Sequence, residues 1–170
     1  MTDAVDLFLA QWSAERPTME AAPMGVIGRL ARASRLVDHG VKDYFAAEGM
    51  ESWEFDVLAT LRRAGAPYTL TPKRLSAMTM VGSAAMTNRV DRLVQKGLVG
   101  REVDADNRRS LLITLTARGH EVVERVIDGH VANAARLANG LEPTEQAEMN
   151  RLLRKLLLSL GDTPPVVDAD

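Results

Sequence analysis

Residues 83–92 place small and short polar side chains on one face of a predicted helix, and such side chains can hydrogen-bond to the edges of DNA bases. Apolar residues at helical spacing form the opposite, buried stripe: Met86, Val90, Leu93 and Val94. The major groove is about 12 Å wide and admits one helix. We expect Arg92 to contact a phosphate. We expect base contacts from four residues of this face: Ser83, Ala84, Thr87 and Asn88. A polar helical face is often merely hydrated, so both interpretations stay open at this point.

A second candidate group is a pair of arginines, Arg108 and Arg109, in a polar turn. The turn joins two runs with strand-forming composition, 98–103 and 110–115, and this arrangement predicts a hairpin. A narrow A·T-rich minor groove concentrates negative potential and attracts guanidinium groups. We therefore predict that Arg109 enters a minor groove and that Arg108 contacts the backbone, although a basic hairpin tip can also serve only solubility.

Charge is distributed unevenly along the chain. The formal net charge is −2, yet residues 72–118 contain nine basic and four acidic side chains and carry +5, which leaves −7 on the remainder. The basic residues are Lys73, Arg74, Arg89, Arg92, Lys96, Arg101, Arg108, Arg109 and Arg118. This distribution predicts one cationic face on an otherwise acidic protein, with a chance fluctuation of surface charge as the alternative.

Residues that could support catalysis or bind a metal do not form a recognisable site. The sequence contains no Gly-rich phosphate loop, no His-Glu-x-x-His and no Gly-x-Ser-x-Gly. His120 and Glu124 lie one helical turn apart, but a hydrated helix face explains them better than a shared metal. The chain has no cysteine, so disulfides and thiolate ligands are excluded. We predict a protein that is not an enzyme and needs no cofactor or metal.

The composition, with 46% apolar and 4% aromatic residues among 170, favours helices packed on helices. No apolar run is long enough to span a membrane and the N-terminus does not resemble a signal peptide, so we expect a soluble, cytoplasmic protein without a membrane partner. Thr71 and Pro72 predict the start of a short helix, Ser83 the cap of the next one, and Gly97 its end.

The predicted fold is mainly α: about six to seven helices with a β wing of two or three strands. An added N-terminal helix lies within residues 1–20. Residues 24–47 and 117–160 form a helical dimerisation region, residues 51–116 form a winged helix-turn-helix, and residues 161–170 form a disordered tail. Apolar stripes on the long helices have no large sheet to cover them, and one helix-turn-helix makes few base contacts, so we expect a homodimer on a palindromic operator.

The run LSAMTMVGSAAMTNRVDRLVQKGLVGREVDADNRRSLLITLTARG at 75–119 resembles the DNA-binding core of the MarR family of transcription regulators. With the flanking helices, the resemblance covers about residues 24–160. The family's wing signature is Asp-x-Arg followed by Leu-Thr, and here it reads Asn107-Arg108-Arg109 with Leu115-Thr116. An amide at position 107 would hold Arg109 by a neutral hydrogen bond, less rigidly than a carboxylate. The resemblance implies a DNA-binding regulator, usually a repressor.

Three features are similar to the urate-responsive, PecS-like branch of that family: the added helix, residues 54–68 and residues 83–93. The branch's effector pocket falls on Trp12, Asp56 and Arg89, and Ser34 stands where its urate sensors have a histidine. The resemblance implies release from DNA by an anionic or aromatic effector that enters between Asp56 and Arg89, with urate itself in doubt. A plain salt bridge between two helices is the alternative.

A winged helix can also serve nucleoid architecture or protein interaction without effector response. Such a module would lack sequence preference, whereas a specific regulator prefers its site over random DNA by roughly 10³-fold or more at physiological salt.

Overall fold

The computed structural model describes residues 1–104 and 110–163. Their seven helices and three strands are α1 Ala4–Glu15, α2 Ala22–Ala47, α3 Ser52–Arg63, β1 Thr69–Leu70, α4 Pro72–Thr79, α5 Ser83–Gln95, β2 Val99–Val103, β3 Leu111–Leu115, α6 Ala117–Leu137 and α7 Pro143–Ser159. The chain divides into two compact units, residues 1–43 and residues 44–170. The mainly helical fold with a small sheet is the predicted one. The boundaries proposed for a dimerisation region and a DNA-binding region stay a prediction.

The first unit contains α1 and most of α2. Asp3 caps α1, since its carboxylate accepts hydrogen bonds from the backbone N–H groups of Val5 (2.8 Å) and Asp6 (3.0 Å). Arg29 of α2 donates to the same Asp3 carboxylate at 2.8 Å. A Cβ added at Gly28 would lie 3.4 Å from Val5, which is 3% exposed. The predicted added helix is therefore present and packs against α2.

The second unit contains a three-stranded antiparallel sheet of order β1-β3-β2. Thr69 pairs with Thr114, and Val99 pairs with Leu115. Tyr68 has a φ of 62° and lies just outside β1, which contains only Thr69 and Leu70. The fully buried side chains of the unit's core include Phe45, Leu58, Leu61, Leu75, Met86, Leu93 and Ile113. These residues fix α3, α4 and α5 against the sheet.

Helix boundaries follow capping chemistry at most of the predicted positions. The Thr71 hydroxyl accepts from the Arg74 N–H at 3.3 Å, and Pro72 begins α4. Gly97, just after α5, has a φ of 68°, which favours glycine at a helix end. The prediction for Ser83 was wrong by one residue. Gly82, with extended backbone and no side-chain cap, precedes α5, and Ser83 is its first helical residue.

Several apolar side chains remain exposed on helices outside this core. In the first unit Leu36 is 69% exposed, and in the second unit Val131 and Leu158 are 59% and 55% exposed. No residue of α7, a helix described in full, is buried. Within the described parts of the chain, no helix is long and apolar enough to cross a membrane.

Candidate nucleic-acid interface

α5 divides into a buried and an exposed face. Met86 and Leu93 are 0% exposed and Val90 is 3% exposed, so one side of the helix is anchored in the core. The exposed side carries four of the predicted contact residues: Ser83, Ala84, Thr87 and Asn88. The fourth apolar residue of the predicted stripe, Val94, is 36% exposed and therefore lies at the margin of the buried face. The structure thus presents the predicted polar face to solvent.

The turn between α4 and α5 sets the angle of this face. Met80 has a φ of 52°, in the left-handed region, and it ends α4. The next backbone N–H, that of Val81, donates to Ser76 O at 3.1 Å and closes the turn. Leu75 of α4 and Met86 of α5 are both fully buried. The helix-turn-helix is therefore held by its own backbone bonds and by the core.

An acidic and aromatic cluster from α3 contacts the C-terminal half of α5. Glu51 Oε1 accepts from Arg92 Nη2 at 2.8 Å, and Glu51 Oε2 accepts from Trp53 Nε1 at 2.8 Å. The Arg92 guanidinium lies 4.7 Å from the centre of the Trp53 ring. Both hydrogen bonds lower the pKa of Glu51, and the bond from Arg92 has the larger effect. Arg92, the predicted phosphate contact, is thus engaged within the protein.

A buried carboxylate supports the same junction. Glu54 is 0% exposed, and its side chain accepts from the Glu51 backbone N–H at 3.0 Å and from Lys96 Nζ at 2.5 Å. Glu51, Trp53 and Glu54 were not predicted from the sequence as residues of this site. Two glutamates at i and i+3 before an apolar run were the available signal, because that spacing is typical of a capped helix start.

The wing is described from its base to residues 104 and 110. The Asp104 N–H donates to Ser110 O at 3.0 Å, and Arg101 of β2 contacts Asp91 of α5 at 2.6 Å. The second contact fixes the strand to the helix that carries the polar face. Arg108 and Arg109, and Asn107 beside them, lie outside the described residues.

The predicted effector residues fall into both units. Asp56 and Arg89 belong to the second unit, where they are not in ion-pair contact; the Arg89 guanidinium lies 5.5 Å from the centre of the Trp53 ring instead. Burial raises the pKa of Asp56, and the positive charges of Arg63 and Arg89 oppose that shift. Trp12 and Ser34 belong to the first unit, and both are exposed. Asp56 and Arg89 therefore interact through longer-range electrostatics, and the plain salt bridge given as the alternative does not form.

The His120 and Glu124 side chains do approach each other, at 3.8 Å, but Glu124 binds Arg62 more closely, at 2.6 Å. Across residues 1–104 and 110–163, no three His, Asp or Glu side chains are grouped so that they could hold a metal ion.

Comparison with known proteins decides the family. A family model described as "MarR family" matches residues 48–110. The HTH-type transcriptional regulator PecS of Dickeya dadantii is 37% identical over 146 residues, which cover 86% of this chain and 88% of PecS. The chain belongs to the MarR family.

Solved structures agree with the fold. A mutant MarR from Escherichia coli, crystallised in complex with operator DNA, is 27% identical with a TM-score of 0.72, over 82% of this chain and 99% of that one. Bordetella bronchiseptica BpsR, from a study of how 6-hydroxynicotinic acid regulates its DNA binding, is 25% identical with a TM-score of 0.69, over 77% of this chain and 97% of that one. The predicted winged helix-turn-helix of a MarR-family protein resembling PecS is confirmed.

Proposed function

We propose that this MarR-family chain is a sequence-specific DNA-binding transcription regulator that acts as a homodimer on a palindromic operator. One observation carries the proposal: α5 exposes Ser83, Ala84, Thr87 and Asn88 while its opposite face is buried in the core. A helix anchored in this way can enter a major groove without leaving its own domain. Its relative PecS is a helix-turn-helix transcriptional regulator, and a MarR structure contains operator DNA.

The four residues offer different chemistry to the groove. The Asn88 amide can accept and donate at once, a geometry that suits adenine N6 and N7. The Ala84 methyl group suits the methyl group of thymine. The Thr87 hydroxyl donates to Ser83 O within the helix at 3.1 Å and keeps its oxygen as an acceptor for a cytosine amino group. In this proposal Arg92 and Arg108 bind phosphates, and Arg109 enters the flanking minor groove.

The uncovered apolar helix surfaces support the proposed dimerisation. α7 has no buried residue, yet it carries exposed leucines at Leu152, Leu157 and Leu158. A second copy of the chain would remove such surface from water, and two-fold symmetry would place the two recognition helices about 34 Å apart. This separation corresponds to one turn of DNA, and the two-fold symmetry makes the operator a palindrome.

Control of DNA binding by a small anionic or aromatic molecule completes the proposal, with repression as the mode of action. Asp56 of α3 and Arg89 of α5 supply charges of opposite sign within the second unit, and Trp12 of the first unit is the aromatic residue that the resemblance to the PecS-like branch implies. An anion that attracts Arg89 and repels Asp56 would shift α5 and release the operator. DNA binding by BpsR, a structural neighbour of this chain, is regulated by 6-hydroxynicotinic acid, which makes that compound a suitable probe beside urate.

Selection of bound duplexes from a random pool tests the function. We expect an enriched palindrome that competes against random DNA by roughly 10³-fold or more at physiological salt. A pool that remains random after selection would favour the alternative, a nucleoid-architecture or protein-interaction module.

Asn88→Ala is expected to relax base preference at one position of each half-site. A bidentate contact to adenine contributes about 1–3 kcal/mol of preference over the other bases. Without it, the preference for adenine at that position should fall by at least about five-fold. Repeating the selection with the variant measures the change. Gln95→Ala removes an exposed amide at the other end of α5 and should leave the motif unchanged. Identical motifs from Asn88→Ala and the wild type would reject the contact.

Trp12→Ala is expected to weaken binding of 6-hydroxynicotinate or urate by about three- to ten-fold, since stacking on one aromatic ring contributes about 0.5–1.5 kcal/mol. Isothermal titration calorimetry measures the affinity. Leu7→Ala, which removes another exposed apolar side chain of α1, is the matched control. Equal affinities in wild type and Trp12→Ala would show that Trp12 takes no part in effector binding.

A further inference from the structure

Arg92 has a carboxylate partner before any DNA arrives. Its Nη2 donates to Glu51 Oε1 at 2.8 Å, and its guanidinium lies over the Trp53 ring. Both charged side chains remain about half exposed, at 48% for Arg92 and 58% for Glu51. The guanidinium can therefore still be reached from solvent, but a negative charge is already beside it.

The Glu51 carboxylate is held in this position by more than Arg92. Its second oxygen accepts from the Trp53 indole N–H at 2.8 Å. The Glu51 backbone N–H donates to Glu54, whose buried side chain also binds Lys96, the residue that follows α5. With both oxygens engaged and a lowered pKa, Glu51 is ionised at neutral pH. The structure thus fixes one negative charge beside the helix with the polar face.

We propose that Glu51 competes with a DNA phosphate for Arg92 and so limits the affinity of this protein for DNA. The inference rests on the proposed function, because it requires α5 to face DNA. A phosphate and a carboxylate both accept hydrogen bonds from the N–H groups of a guanidinium. A phosphate that binds Arg92 must therefore share these donors with Glu51 or displace it. The fixed carboxylate also repels the phosphate that approaches Arg92.

Trp53 is the positioning residue of this competition. Its ring lies against the guanidinium, and its N–H orients the carboxylate. Trp53→Phe keeps an aromatic ring beside Arg92, but it removes the indole N–H that donates to Glu51 together with part of the ring surface. The variant leaves the Glu51 carboxylate free to turn toward solvent. We therefore expect it to raise DNA affinity, as removal of the Glu51 charge does.

Glu51→Gln is the direct test, measured by fluorescence anisotropy on a random-sequence duplex between about 50 and 200 mM salt. We expect binding about two- to five-fold tighter than wild type, the range of an exposed ion pair. The slope of log K against log salt should steepen by up to about 0.9, as one more phosphate is neutralised. Trp53→Phe should show a smaller change in the same direction.

The double variant Glu51→Gln/Arg92→Ala separates competition from a general charge effect. In an Arg92→Ala background, Glu51→Gln should leave the salt slope unchanged and should raise the affinity much less than in the wild type, because only the direct repulsion of the phosphate is removed. Glu148→Gln removes a carboxylate from another exposed arginine pair, with Arg151 in α7, and should leave both quantities at the wild-type value. Circular dichroism confirms that each variant is folded.

The outcomes distinguish the two proposals. Weaker or unchanged binding by Glu51→Gln, or an equal gain in the Arg92→Ala background, overturns the competition while DNA binding by the wild type still stands. No binding by wild type or any variant overturns the proposed function and the competition with it.

Discussion

Ala84→Glu is expected to lower DNA affinity by about 100-fold, the largest functional effect of any single substitution considered for α5. Ala84 is exposed in the first turn of the helix, on the face that we assign to the groove. A carboxylate there meets phosphates and acceptor-rich base edges, and like-charge contact in an interface costs several kcal/mol. An acidic residue in the first turn of a helix is compatible with its dipole, so the fold should persist. Electrophoretic mobility shift on the selected operator measures the loss.

Ala84→Gln is the matched control, because glutamine has the size of glutamate without its charge. It should weaken binding far less than Ala84→Glu. Equal affinities of Ala84→Glu and wild type would show that this face of α5 does not meet DNA. Equal losses in both variants would instead assign the effect to side-chain size.

Gly119→Ala is expected to destabilise the protein by about 3 kcal/mol, at the upper end of the usual cost of overpacking. A Cβ at this position would lie 2.0 Å from Leu98 O and 2.9 Å from a methyl group of Leu115. The Leu98 carbonyl cannot move away freely, since it accepts hydrogen bonds from the Thr116 hydroxyl at 3.0 Å and the Thr116 N–H at 3.1 Å. Strand and helix must therefore separate to admit the methyl group.

Thermal unfolding measures this effect, and Tm should fall by roughly 6–12 °C for a chain of this size. Gly140→Ala is the control, because a Cβ at Gly140 meets nothing within 4 Å. Its Tm should stay within about 2 °C of wild type. An unchanged Tm in Gly119→Ala would contradict the close approach of α6 to residue 98.

Local chemistry explains why much of the helix-turn-helix could be predicted from the sequence. Thr71 with Pro72 marks the start of α4, and Gly97 marks the end of α5, because caps and left-handed residues depend on neighbours in the chain. The buried stripe of Met86, Val90 and Leu93 follows directly from helical spacing. Ser83 was misplaced by one residue because Gly82 also adopts the extended backbone of an N-cap.

Contacts between distant residues could not be predicted in the same way. Glu51 and Arg92 are 41 positions apart, and nothing in local spacing indicates that α3 brings a carboxylate and an indole to α5. The plain salt bridge between Asp56 and Arg89, which was the alternative to an effector site, does not form, for a related reason. Trp53 occupies a position beside the Arg89 guanidinium, a contact that depends on the packing of two helices. Such pairings are set by tertiary packing and not by periodicity.

Methylation interference on the selected operator tests the central claim most directly, since dimethyl sulfate modifies guanine N7 and this atom lies in the major groove. If α5 reads the major groove as part of a symmetric dimer, premethylated guanines should block binding in two clusters centred about 10–10.5 base pairs apart, or a multiple of that distance. Interference at a single cluster, at no guanine, or evenly along the duplex would contradict it.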